Sequence, residues 1–267
     1  MDYTAKIASL DLKLSQRLHQ ALSAGKDELY TILEDPVMEV LAAALKNPSF
    51  DMSHMLTLLK RRDLSEDLVK AICRQERFGD SHEFLAALAR QPHIPAAQLA
   101  TILPRLYLFE LAALSCAPTV SPDQKFAAER AIIQRLPTTP LGNKLTLARR
   151  GTAAVTEVLM REGDPRLIGA CLDSPHLKES AIFGFLNSAN ATAETISMVA
   201  RHPRWKQRPN LRLAILKNNK TPDIWFSMFL PALPLGDVKG LLSSPRLSGS
   251  HKMLVENELK RRGLTAR

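Results

Sequence analysis

A six-residue phrase recurs along this chain: a small or flexible residue, two mostly apolar residues, two variable residues, then proline. It stands at Ala43–Pro48, Ala87–Pro92, Ala113–Pro118, Ala170–Pro175, Met198–Pro203 and Gly240–Pro245. The intervals between successive prolines are 44, 26, 57, 28 and 42. Each lies near a multiple of about 14, the length of a short helix with its turn. A proline inside a helix removes a backbone hydrogen bond and collides with the preceding turn, so the phrase reads as a recurrent helix stop. Self-similarity at such a period marks a stacked helical array, in which each repeat buries its apolar face against its neighbours.

A second internal match supports the repeat. Ala87–Pro104 lies over Ala214–Pro231 without a gap, with Ala87/Ala214, Pro95/Pro222, Leu103/Leu230 and Pro104/Pro231 identical. The apolar pattern also matches, Leu88 with Ile215, Leu99 with Phe226 and Ile102 with Phe229.

Helix signals run throughout. Met38, Val40, Leu41, Ala44 and Leu45 form one apolar stripe at helical spacing. Met55, Leu56, Leu58 and Leu59 form another, followed by Lys60, Arg61 and Arg62, where positive charge suits a helix C-terminus. Ser65 is placed to cap a helix with Glu66 and Asp67 in its first turn, and Thr192 with Glu194 is a similar start. Ser121-Pro122-Asp123 and Thr221-Pro222-Asp223 each offer a hydroxyl at the cap, proline at the first helical position and an acid next. No stretch alternates apolar and polar residues as a strand would. The expectation is all-α: roughly 16 to 18 short helices paired antiparallel in units of about 28 residues.

With hydrophobic residues at 45% and aromatics at 5%, the interior must be built from Leu, Ala, Ile and Val, which suits closely packed helices. The N-terminus lacks a secretory signal pattern. The longest apolar stretch, Leu106–Ala117, is interrupted by Glu110 and falls far short of the roughly 20 residues of a membrane span. Cys73, Cys116 and Cys171 are scattered and odd in number, which argues for buried free thiols in a reducing cytoplasm and against a disulfide framework or zinc site. The seven histidines show no metal-binding spacing, and no phosphate loop, dinucleotide fingerprint or nucleophile elbow occurs. Neither a cofactor nor a metal is expected.

The segments LARQPHIPAAQLATIL (88–103), CLDSPHLKESAIFGFL (171–186) and VARHP (199–203) resemble the HEAT-like and leucine-rich-variant α-solenoid families, whose repeats read apolar-Ala-x-x-Pro followed by a capped helix. The resemblance covers most of Leu41–Leu259. It implies a right-handed α-solenoid in one continuous array, with 1–40 as N-terminal capping helices, 41–259 as repeats and 260–267 as a basic tail whose Lys260, Arg261, Arg262 and Arg267 are solvated. Such families serve chiefly as binding scaffolds, and one HEAT-like branch comprises DNA glycosylases acting on alkylated bases. Some leucine-rich-variant proteins carry an N-terminal cysteine cluster for an iron–sulfur centre. No cysteine precedes Cys73 here, so that cofactor is not implied.

Charge is uneven. Residues 1–90 carry a net −2 and residues 91–267 a net +11, within a total of +9. The sharpest local feature is 201–220, where Arg201, Arg204, Lys206, Arg208, Arg212, Lys217 and Lys220 surround Trp205 and no acid occurs between Glu194 and Asp223. Arg201, Arg204, Trp205, Lys206, Arg208 and Arg212 are the candidate anion- or nucleic-acid-binding residues: the charges would track a phosphate backbone and the indole would stack on a base. The alternative is a solvated helix face with Trp205 as a packing residue. Arg149, Arg150, Arg161 and Arg166 would extend the surface or complement helix ends. In a glycosylase-like reading Asp223 would stabilise a developing sugar cation and Trp225 would contact DNA. In the structural one Asp223 is a first-turn acid and Trp225 fills a groove. The leading expectation is a non-enzymatic scaffold for a protein partner, with nucleic-acid binding as the alternative.

Overall fold

A computed structural model describes residues 3–263, with side chains from Leu12 onward. Arg267, one of the four expected tail cations, lies outside the described residues. Among the described residues the chain forms 18 α-helices joined by turns and four short 3-10 segments, with no strand. By its contacts it divides into two compact units, one ending at Ile132 and one beginning at Ile133. The first contains α1 (Tyr3–Ser23), α2 (Lys26–Ile32), α3 (Met38–Ala44), α4 (Met52–Leu58), α5 (Glu66–Cys73), α6 (His82–Leu88), α7 (Ala96–Ile102), α8 (Leu108–Cys116) and most of α9 (Pro122–Arg135). The second contains α10 (Leu141–Arg150), α11 (Ala153–Arg161), α12 (Pro165–Leu172), α13 (Glu179–Leu186), α14 (Ala193–Arg201), α15 (Pro209–Lys217), α16 (Asp223–Phe229), α17 (Leu235–Leu242) and α18 (Gly249–Arg261).

Each recurrent phrase stops a helix. α3, α6, α8, α12, α14 and α17 end two to four residues before Pro48, Pro92, Pro118, Pro175, Pro203 and Pro245. Alternate helices then pack on one another. In the first unit α1 meets α3 and α3 meets α5, while α2 meets α4 and α4 meets α6. In the second, α10, α12 and α14 follow one another in one layer, and α11, α13, α15 and α17 in the other.

The carbonyls left over at helix ends need donors, and at two of the phrases the residue just before the proline supplies one. Asn47 and Gln91 are each 1% exposed. Asn47 Nδ2 donates to the carbonyls of Ala21 (2.9 Å) and Ala24 (3.0 Å). Gln91 Nε2 donates to Leu59 (2.6 Å) and Arg61 (3.1 Å). Other side chains do the same one repeat further on: Arg61 to Leu33 and Asp35, both at 2.7 Å, Asn190 to Arg161 at 2.7 Å, and Asn218 to Leu186 at 2.6 Å. Arg262, expected in a solvated tail, belongs to this set. It donates to Leu233 (3.0 Å) and Leu230 (2.5 Å) and pairs with Glu258.

From α2 onward the α-helices of the first unit recur in the second. Helices α2 to α9 begin at Lys26, Met38, Met52, Glu66, His82, Ala96, Leu108 and Pro122; α11 to α18 begin at Ala153, Pro165, Glu179, Ala193, Pro209, Asp223, Leu235 and Gly249. Every start at position n in the first copy is answered at n + 127 in the second. The 3-10 segments Leu103–Arg105 and Leu230–Ala232 obey the same offset, so no insertion or deletion separates the copies. Buried positions coincide: Leu41 with Ile168, Leu45 with Leu172, Met55 with Ile182, Leu58 with Phe185, Val69 with Ile196, Phe78 with Trp205 and Leu99 with Phe226. Interiors tolerate exchange among apolar residues when volume and pattern are kept, and few of these pairs are identical. Identities fall at punctuation: Pro48/Pro175, Pro95/Pro222, Pro104/Pro231, Pro118/Pro245 and Ser121/Ser248. The two serines cap alike, accepting from the amides of Gln124 (3.3 Å) and His251 (3.2 Å).

Ser65 and Thr192 also cap as expected, α5 and α14 respectively. Thr221 does not. It is 2% exposed, its hydroxyl donates to the Ile215 carbonyl at 2.5 Å, and Pro222 occupies the cap of α16. Being buried at the end of α15, Thr221 must satisfy its own hydroxyl locally. The cysteines also divide. Cys171 is buried, and burial first, with Glu162 adding, pushes its thiol up to about 12. Cys73 is half-buried, and Cys116 is exposed, contrary to the expectation of three buried thiols.

At the cap of α4, Asp51 accepts from Ser53 Oγ (2.6 Å) and from the amides of Ser53 (3.1 Å) and His54 (3.3 Å), with Lys26 Nζ at 3.2 Å. The Ser53 hydroxyl is the largest influence; burial opposes it, and the His54 amide, Lys26 and His54 add to it, leaving the carboxyl far below its ordinary range. Its contribution is therefore complete above the unfolded carboxylate pKa near about 4 and is lost as pH falls through the lower folded value. Asp51→Ala is expected to cost about 1 kcal/mol at pH 7 and less at pH 3, measured by urea unfolding at both.

Candidate functional site

The basic segment begins at the end of α14, crosses a turn and forms α15. Its charges part company. Arg201, in the last turn of α14, and Lys206, in the turn, are exposed. Arg204 donates to the carbonyls of Ser174 (2.8 Å) and Leu177 (3.5 Å), and its guanidinium lies 4.4 Å from the Trp205 ring centre. Arg212 Nε donates to the Lys206 carbonyl at 2.7 Å, with its guanidinium 5.4 Å from the Phe229 ring. Lys220 Nζ reaches the carbonyls of Ala189 (2.8 Å) and Ala191 (3.0 Å). Arg208 is exposed and lies 3.9 Å from Glu179. Among the arginines proposed to extend the surface, Arg161 pairs with Glu157 and Arg166 with Asp164.

Trp205 is 3% exposed, and its Nε1 donates to the Leu172 carbonyl at 3.1 Å. The indole is a core side chain, so it does not offer a stacking face to a base. The first unit explains why. Arg77 and Phe78 are the counterparts of Arg204 and Trp205 at the same offset. Phe78 is 5% exposed, Arg77 lies 4.6 Å from its ring, and Arg77 donates to the Leu45 carbonyl at 3.1 Å. Leu45 is the counterpart of Leu172. In both units an arginine–aromatic pair closes the same helix end, with the tryptophan taking over the donor role in the second. The pair is a packing latch present twice.

Asp223 and Trp225 are also tied into the fold. Asp223 Oδ1 lies 3.2 Å from His251 Nε2 on α18, and the His251 ring stacks on Phe226 at 4.4 Å. Trp225 is 5% exposed and donates to Ser197 Oγ at 2.9 Å. Burial of Trp225 removes it as a contact to DNA. Among the described residues no group of three or more His, Cys, Asp or Glu side chains converges to hold a metal ion, and no helix is long and apolar enough to cross a membrane.

A concave feature of the second unit lies beside this segment, between α13 and α15. It is a groove of about 580 Å³ whose walls include Ser180, Phe183 and Asn187 on one side and Asn210, Leu213 and Lys217 on the other. On α13, Ala181, Ile182, Phe185 and Leu186 are buried, which leaves Phe183 on the outer face, 48% exposed. Glu179 marks one end, near Arg208. At the other, Arg246 donates to Asn187 Oδ1 at 3.0 Å, and Lys217 is exposed. Sequence reasoning passed over Phe183, although an aromatic placed beside a complete apolar stripe was the available signal.

Charge separates the two copies. Up to Ile132 the chain has 15 Lys+Arg against 17 Asp+Glu, a net −2; from Ile133 it has 21 against 10, a net +11. Comparison with known protein families, curated proteins and solved structures finds no match to this chain.

Proposed function

We propose that each unit is a right-handed α-solenoid of HEAT-like helix pairs and that the protein is a non-enzymatic scaffold which holds a protein partner. The packing of alternate helices in two layers and the side-chain caps reaching back one repeat support the solenoid reading. The observation that carries the binding role is the α13–α15 groove with Phe183 exposed in its wall. Phe183 shares the groove with Leu213 and Ala214, and a concave feature with an apolar wall is characteristic of a binding surface.

The experiment is affinity capture with the full chain, with and without nuclease. Partners should persist after nuclease and be lost with Phe183→Glu, which leaves thermal unfolding unchanged because the side chain is half in water. Capture abolished by nuclease would refute the scaffold reading.

A second reading, nucleic-acid binding, is favoured by the net +11 of the second unit and by the exposed Arg201, Lys206, Arg208 and Lys217. Such charge gives affinity for any polyanion, falling with salt.

A further inference from the structure

We infer that the α13–α15 groove takes an acidic peptide segment, with a large apolar side chain of that segment against Phe183 and its carboxylates at the Lys217–Arg246 end. This rests on the scaffold reading above and specifies the chemistry of the partner.

The internal repeat supplies the argument. Position by position, the groove can be read against its counterpart in the first unit. Phe183 replaces Leu56 and Leu213 replaces Ala86, so the walls gain apolar bulk. Asn210 replaces Glu83, which removes an acid from the groove itself. Around it, Arg208 replaces Ser81 and Arg246 replaces Thr119, while Lys217 keeps the positive charge of Arg90. Two changes run the other way, Glu179 for Met52 and Asn187 for Lys60. The scaffold positions of the two units stay matched, while these solvent-facing ones gain apolar bulk; at the Lys217–Arg246 end the two positive charges are kept, with Arg246 taking over the charge that Lys60 carries in the first unit.

The charges are placed for use. Glu179 is opposed by Arg208 at 3.9 Å, so the acidic end is offset. At the other end Arg246 is held by the neutral Asn187 at 3.0 Å, and Lys217 lines the groove. Among the described residues, both cations therefore reach this end without a carboxylate partner of their own. A guanidinium and an ammonium beside an apolar wall complement a peptide whose carboxylates neighbour a bulky apolar residue. A neutral peptide would leave the cations unused, and a basic one would be repelled.

The test uses the full chain and three fluorescein-labelled peptides of equal length around one tryptophan, flanked by Asp and Glu, by Asn and Gln, or by Lys. Anisotropy at physiological salt should show the acidic peptide binding at least about tenfold tighter than the neutral one, equivalent to about 1.4 kcal/mol. The lysine peptide should not bind. Phe183→Ala should weaken the acidic peptide about tenfold or more, as truncation of a buried anchor does. Lys217→Glu/Arg246→Glu should abolish the preference for acid, and Arg201→Glu on α14 should change affinity less than about twofold, since it carries no groove residue.

Equal binding of acidic and neutral peptides, both weakened by Phe183→Ala, would overturn the acidic specificity and leave the groove as a docking site. Unchanged binding in Phe183→Ala would overturn the groove. Loss of acidic preference in Arg201→Glu as well would reduce the effect to overall charge and also overturn the inference.

Discussion

Trp205→Ala is expected to destabilise the second unit by about 3–5 kcal/mol, the cost of emptying a buried aromatic site. The Leu172 carbonyl loses its donor in addition, and Arg204 loses the ring beneath its guanidinium. Thermal unfolding should fall by on the order of 10 °C, with faster amide exchange in α12 and α14. Arg201→Glu and Lys206→Glu, on exposed side chains of the same segment, should stay within about 0.5 kcal/mol of the parent. Trp205→Ala that kept full stability would contradict the latch assigned to this residue, and would return the indole to a role in recognition.

Gln91→Leu is expected to cost about 2–4 kcal/mol, because the buried carbonyl of Leu59 and the part-buried one of Arg61 lose one shared donor and an unmet acceptor carries a desolvation penalty that grows with its burial. Gln91 Oε1 is buried without a protein partner, so removing it relieves a penalty the parent carries and places the expected cost toward the lower end of that range. Asn218→Leu, at the equivalent position of the second unit, releases one carbonyl, Leu186, and the exposed Lys220 amide, which water can satisfy, and should cost less than Gln91→Leu. Gln91→Asn should recover part of the loss, since Asn is the residue that performs this role at 218. Urea unfolding of the four proteins decides the order. Equal stability of Gln91→Leu and the parent would show that the carbonyl caps contribute nothing to holding repeats in register.

Much of the fold was legible because its punctuation is local. A proline after a short helix acts through its own ring and its missing N–H, so Pro48 or Pro175 declares a helix stop without reference to anything distant. The match of Ala87–Pro104 to Ala214–Pro231 was one visible stretch of the correspondence between the two units. Elsewhere that correspondence was hidden by the permissiveness of apolar packing. Val69 and Ile196, Phe78 and Trp205, Leu99 and Phe226 fill equivalent sites with different residues, and only the constant helix spacing exposes the pairing.

The candidate site was read less well, for a physical reason of the opposite kind. A run such as 201–220 shows its charges but not the carbonyls those charges meet. Arg204 is satisfied at Ser174 and Lys220 at Ala189, about one repeat back along the chain, and no pattern within the segment announces those partners. Trp205 appeared as an isolated aromatic among cations. Its counterpart Phe78 would have identified it as a core residue had the repeat been aligned across its whole length. Phe183 was concealed by its neighbours, because Ile182, Phe185 and Leu186 already account for an apolar helix.

The most direct test of the account is an anisotropy titration of single-stranded and duplex nucleic acid at several salt concentrations, comparing the parent chain with Arg201→Glu/Lys206→Glu. These two side chains are exposed, so the variant changes charge without disturbing the latch. The account predicts weak binding that disappears with modest salt and is nearly the same in the variant. Tight binding near physiological salt, lost in the variant, would contradict it and make the segment after α14 a nucleic-acid interface.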